Sequence, residues 1–197
     1  MRTPTICLST LAAAICLACP ALADPPAPAA PPAVAAASSG SAPAAALSST
    51  QQHYLALAQT GVANAERRWW DPRRGWYDAR LDDRERYPLA TIWDSVPLFE
   101  SLDAIAIAQP TAANRRALAR FAAGAERYLN RGLRPLPGFS PYQGDREAGT
   151  ETWFDDNGWW GLAFVEAYRA AGTPRYLADA QRALRYIAAA GWDPSGG

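Results

Sequence analysis

From Leu47 onward, apolar residues recur at helical spacing and nowhere alternate for long with a period of two. Tyr54, Leu57, Ala58, Gly61, Ala65 and Trp69 form a first stripe. Phe99, Leu102 and Ala106 form a second, entered through Asp94, Ser95 and Pro97, which suit a cap and a first turn. Leu118, Phe121, Ala122, Ala125, Tyr128 and Leu129 make the third. Trp160, Phe164, Ala167, Tyr168 and Ala171 make the fourth, stopped by Gly172. Leu177, Ala180, Leu184 and Ile187 make the fifth, opened by Thr173-Pro174 and closed by Gly191. The pattern predicts an all-α domain with no strands. Short connections at Gln109-Pro110-Thr111 and Gly172-Thr173-Pro174 predict antiparallel hairpins, whereas Arg131 to Thr152 is a long Gly- and Pro-rich loop of the kind that carries function. Helical hairpins with long loops on one side fit an α-solenoid or a closed ring. No fixed-period repeat is present, which favours a ring of inner and outer helices, although five helices close such a ring poorly.

The chain before Leu47 is of another kind. Arg2, an apolar run from Ile6 to Ala18 and the small-x-small site Ala21-Leu22-Ala23 predict a signal peptide over residues 1–23. The run is too short to span a membrane, and no stable span is expected once the leader is cleaved. Residues 24–46 are almost all Pro, Ala, Ser and Gly and predict a disordered linker. The helical domain is then 47–197. The expected location is outside the cytoplasm, periplasmic or secreted, as a monomer.

Composition narrows the chemistry. Lys+Arg and Asp+Glu are both 19, which argues against a nucleic-acid partner. His53 is the single histidine, and Cys7, Cys16 and Cys19 all lie in the leader. That leaves no Cys/His zinc cluster and no thiol nucleophile, and a single histidine argues against a Ser-His-Asp triad. Carboxylates and aromatics remain, with eight Trp among them.

These concentrate in Glu151-Thr152-Trp153-Phe154-Asp155-Asp156-Asn157-Gly158-Trp159-Trp160, where two adjacent Asp residues open the fourth helix. Read structurally, Asp155 caps that helix and Asp156 sits in its first turn against the positive end of the dipole. A cap alone does not require four bulky aromatics around it. Glycoside cleavage does require two carboxylates in different protonation states, in retaining enzymes about 5–5.5 Å apart. Helix amides hold one ionised; the adjacent charge and apolar walls keep the other protonated. Taken singly, each aromatic is a core residue before it is a sugar platform.

Phe154-Asp155-Asp156-Asn157-Gly158-Trp159-Trp160-Gly161-Leu162-Ala163, followed by Glu166-Ala167-Tyr168, Tyr176-Leu177, Ala180 and Trp192-Asp193 through Gly196-Gly197, resembles glycoside hydrolase family 76. That family comprises α-1,6-mannanases and related cell-wall transglycosylases. The resemblance is strongest from Thr152 to Gly197 and diffuse from Leu47 to Arg131. It implies an (α/α)6 toroid and a retaining mechanism with Asp155 as nucleophile and Asp156 as general acid/base, without metal or other cofactor. A twelve-helix toroid needs more ordered chain than this sequence holds, so the sequence is read as an N-terminal fragment truncated at its C-terminus. The candidate substrate-binding residues are Trp153, Phe154, Asn157, Trp159 and Trp160 beside the pair, with Trp93, Asp94 and Tyr142 further away. Trp93-Asp94 equally fits a helix cap with a packed indole, and Trp69 to Asp78 forms a second aromatic and acidic cluster.

Three functions follow as expectations. The first is an exported endo-α-1,6-mannanase acting on α-mannan. The second is a transglycosylase using the same chemistry, and the third is a non-catalytic carbohydrate-binding helical domain. Nothing in the sequence separates hydrolysis from transfer.

Overall fold

The computed structural model describes residues 46–82, 88–193 and 195. The expected leader and, apart from Ala46, the expected linker lie outside the described residues. Five helices follow in order: α1 (Ser49–Trp69), α2 (Ile92–Ala108), α3 (Ala112–Ala125), α4 (Phe154–Ala171) and α5 (Pro174–Ala190).

Local chemistry sets most of these ends. Ser48 and Gln51 form a reciprocal capping box at the start of α1, and Thr91 and Asp94 form another at α2. Thr111 caps α3 through the Asn114 amide. Gly172, at φ 65°, ends α4 in the left-handed conformation that glycine adopts without strain, and Pro174 opens α5. Helix α2 thus starts at Ile92, ahead of the Asp94-Ser95 entry expected from sequence.

Neighbouring helices in sequence are antiparallel. Gln59 of α1 donates to Gln109 just past the end of α2. Along the α4–α5 seam, a Cβ on Gly191 would meet Phe154 and one on Gly161 would meet Ala183, so the two helices run in opposite senses. Helices α2 and α4 lie side by side and run parallel. Asp94 in the first turn of α2 acts electrostatically on Asp156 in the first turn of α4, and further along Asp103 faces Glu166 in the same order. Both helix starts are therefore at one end of the bundle.

Aromatic packing fills the space between α2, α3 and α4. The Trp160 ring meets Phe99 at 5.2 Å and Tyr128 at 5.5 Å between centroids, and Phe99 meets Phe164 at 5.2 Å. Edge-to-face pairs of this kind add to the stabilisation from burial. Trp76 joins the same core and donates its indole N–H to the Tyr128 hydroxyl at 2.7 Å. The Tyr128 hydroxyl in turn donates to the Ala90 carbonyl, fixing the strap that leads into α2.

Three expectations need correction. The connections are not free of strand: β1 (Trp70–Asp71) pairs with β2 (Trp76–Tyr77), and β3 (Leu129–Asn130) with β4 (Gly138–Phe139). Each strand is two residues long, too short to leave a period-two signature. Leu129, expected in the third helix, lies in β3 because α3 tightens into a 3₁₀ turn over Glu126–Tyr128. The buried face of α5 is Tyr176, Asp179, Ala180, Ala183 and Tyr186, whereas Leu184 is exposed. On α1 too the face differs: Leu55, Ala58, Val62, Ala65 and Trp69 are half-buried, Tyr54 and Leu57 of the expected stripe are exposed, and no residue of that helix is fully buried.

Asp103 stands out in the α2–α4 seam. It is 1% exposed, and neither carboxylate oxygen has a hydrogen-bond partner among the described residues. Burial, reinforced by the charges of Glu166 and Glu100, pushes its pKa up to about 8. The folded protein therefore retains a proton that the unfolded chain releases near the ordinary aspartate value. Stability should fall as pH rises from about 4 to about 8. Asp103→Asn should flatten that dependence and raise stability at pH 8 by roughly 2–5 kcal/mol while changing little near pH 4. Urea unfolding followed by circular dichroism across this range provides the check.

Candidate active site

The first turn of α4 is built around Asn157. Its side chain is fully buried, accepts the Phe139 N–H at 2.8 Å, and donates to the Phe139 carbonyl at 2.9 Å and the Trp153 carbonyl at 3.1 Å. One amide thus ties β4 to the start of α4. The N-cap position, Trp153, supplies no side-chain cap, so the free helix amides face the two acids that follow. On the far side of β4, Gly138 lies so close to the Tyr186 ring that a Cβ would come within 2.5 Å of it. The hairpin is held between α4 and α5.

Asp155 and Asp156 both occupy this first turn, but their surroundings differ. Asp155 is exposed, and its Oδ1 accepts the Asp156 N–H at 3.1 Å. Asp156 is only 5% exposed, and its carboxylate makes no hydrogen bond or ion pair among the described residues. Burial first, then the charges of Asp155 and Asp94, push the Asp156 pKa up to about 6. An accessible carboxylate beside a buried, proton-retaining one is the division that acid-assisted displacement at an acetal carbon requires. Asp155 lies inside the first turn; the residue at the cap is Trp153.

The structure sorts the remaining candidates by helical phase. Trp159 is 44% exposed and follows Asp155 by four residues, so both sit on the outward face of α4. Trp153 is also exposed, as is Trp93 at the start of α2, whose indole is therefore not packed beneath a cap. Phe154 is partly exposed, its ring 6.2 Å from that of Tyr186 and against Gly191. Two expectations are overturned. Trp160 is fully buried in the aromatic core with its indole N–H on the Ala125 carbonyl, so it offers no face to a sugar. Asn157 is likewise buried, with its amide engaged by backbone.

Asp94 is the N3 residue of the α2 capping box. Its Oδ2 accepts the Thr91 N–H at 2.9 Å and the Thr91 hydroxyl at 2.8 Å. It also borders a cavity of about 400 Å³ between α1 and α2 that includes Trp69, Tyr77, Asp78 and Ser95. Neither Asp155 nor Asp156 lines that cavity. Tyr142 lines a separate depression of about 250 Å³ with Arg74, Pro88, Leu89 and Gln143, which neither Asp155 nor Asp156 borders. The cluster from Trp69 to Asp78 forms the β1–β2 hairpin, with Trp76 in the core and Asp71 paired to Arg73 and Arg74. His53 is exposed.

Antiparallel neighbours in sequence, the parallel pair α2 and α4, and acidic first turns gathered at one end fit part of an (α/α)6 toroid, a fold class used by glycoside hydrolases. Within it, the described domain has the fold of family 76. It is similar to an α-mannanase of family 76 from Bacteroides thetaiotaomicron, with 17% identity and a TM-score of 0.59 over 68% of this chain and 36% of the other. A family 76 mannosidase of the same species is 21% identical, with a TM-score of 0.60 over 72% of this chain and 39% of the other. A family 76 enzyme from a bovine strain of that species is 18% identical, with a TM-score of 0.60 over 71% of this chain and 30% of the other. The chain thus spans about a third of the length of these structures. No family model matches the sequence, and no curated protein matches it.

If Asn157 is a structural clamp, Asn157→Ala should strand the buried Phe139 N–H and carbonyl and cost about 2–4 kcal/mol. A clear drop in the urea midpoint is the expected result. A sugar ligand without structural duty would leave that midpoint unchanged.

Proposed function

We propose that this chain carries the catalytic carboxylate pair of an exported, retaining glycoside hydrolase that cleaves α-1,6-mannosidic bonds in mannan. The observation that carries the reading is the asymmetry of the pair: Asp155 is open to solvent, while its neighbour Asp156 is buried with its proton affinity raised. The fold shared with an α-mannanase and a mannosidase supports the substrate class. Export rests on the leader over residues 1–23.

In this reading Asp155 attacks the anomeric carbon as the glycosidic C–O bond breaks. Asp156 gives its proton to the departing oxygen, leaving a glycosyl ester on Asp155. Asp156, now ionised, takes a proton from water; that water attacks the anomeric carbon and releases Asp155, so configuration is retained. Trp153, Trp159 and Trp93 are exposed aromatic faces near the two helix starts that suit the C–H faces of sugar rings. Tyr142, in its separate depression, is assigned to a more distant part of the same polymer.

The full-length protein, presented with linear α-1,6-mannan and a β-1,4-glucan control, should release oligosaccharides from the mannan alone. Asp155→Ala should lower turnover by roughly 10³-fold or more while remaining folded. The acid must be protonated to act, so wild-type activity should decline as pH rises through about 6. Asp156→Ala should lose that alkaline limb and retain more activity on aryl mannosides with good leaving groups than on mannan. Wild-type rates from both variants would overturn the assignment. Longer oligosaccharides formed at the expense of shorter ones would redirect it to transglycosylation.

A further inference from the structure

We propose that Asp94 is a third acidic member of this site, a positioning residue that acts on Asp156 through its charge across the α2–α4 seam. The inference rests on the reading of Asp155 and Asp156 given above and adds a part played by a second helix.

Three observations support it. Asp94 and Asp156 occupy the same position, the third residue of the first turn, on two parallel, directly packed helices. Asp94 is held in place: its Oδ2 is engaged by the Thr91 N–H and hydroxyl, and the Ile92 N–H just ahead of it donates to the Pro141 carbonyl at 3.2 Å. Asp156 is a buried carboxylate without a hydrogen-bond partner among the described residues, and a neighbouring charge acts more strongly on a group held out of water.

The groups facing Asp156 are few. From α4 comes Asp155 and from α2 Asp94, both raising its affinity for a proton. Helix α5 presents Tyr186 to Phe154, β4 brings the Phe139 backbone to Asn157, and α3 meets α4 through the Ala125 carbonyl on Trp160. The charges that act on Asp156 are both negative. Two like charges from two helices therefore keep the proton in place, and Asp94 does so without touching the scissile bond.

The test compares Asp94→Asn, which keeps the oxygen that accepts from Thr91 and removes the charge, with Asp94→Glu, which keeps the charge. In the full-length protein, Asp94→Asn should move the alkaline limb of kcat/KM to lower pH by roughly 0.5–1 unit. Asp94→Glu should restore the wild-type limb. The ¹³C carboxyl titration of Asp156, assigned by its loss in Asp156→Asn, should show the same shift whether or not any glycan is cleaved. An unchanged titration midpoint in a folded Asp94→Asn variant would overturn the role of Asp94. A shifted midpoint without mannan cleavage by the wild type would keep that role and sink the mannanase reading instead.

Discussion

The parallel packing of α2 against α4 is the constraint on which the site depends. Phe99, Trp160 and Phe164 interlock across that seam, and the indole of Trp160 is pinned to α3 through the Ala125 carbonyl. Parallel alignment brings two positive helix ends to one side, and each carries an acid at the same position of its first turn. With α4 reversed, Asp156 would lie far from Asp94. Rotated by one residue about its axis, α4 would either carry Asp155 into the buried place of Asp156 or carry Asp156 out to the exposed place of Asp155. The difference between the two carboxylates is thus a matter of helical phase, fixed by rings several residues further along the same helix.

Much of this was legible in the sequence, and the gaps have specific causes. Helix starts and stops were written in Thr111, Pro174, Gly172 and Gly191, whose backbone preferences act locally. The Asp pair was recognisable because adjacent acids amid bulky aromatics make an expensive arrangement without a purpose. Trp159 and Trp160 could not be told apart by residue type; only the phase shared with Asp156, Ala163 and Ala167 separates the buried indole from the exposed one. The face of α5 was misjudged because alanines flank every turn and a buried Asp179, paired with Arg182, breaks the apolar stripe. Asn157 reads as one more polar residue in a first turn, since its partners on Phe139 are eighteen positions away. The β-ladders, two residues to a strand, are too short to show an alternating pattern.

Electrostatic cost is distributed unevenly along the seam. At the helix starts, the mutual repulsion of Asp94, Asp155 and Asp156 is tempered by amide donors and by solvent at the rim. Deeper in, Asp103 meets Glu166 and Glu100 with no donor of its own, and protonation is the relief open to it. One pair of helices therefore holds two proton-retaining carboxyls, one accessible to chemistry and one enclosed.

The Asn157 clamp has an evolutionary consequence. Because a single buried amide anchors β4 to α4, the register of Asp155 and Asp156 is set independently of the chain from Ser140 to Thr152 that spans the gap between these anchors. Beyond Pro141, whose carbonyl holds the Ile92 N–H at the start of α2, that segment can change length or composition without disturbing the carboxylates. A lineage holding this clamp constant can vary what the loop presents beside the acid pair by loop replacement alone, separating changes in recognition from the upkeep of the carboxylate geometry.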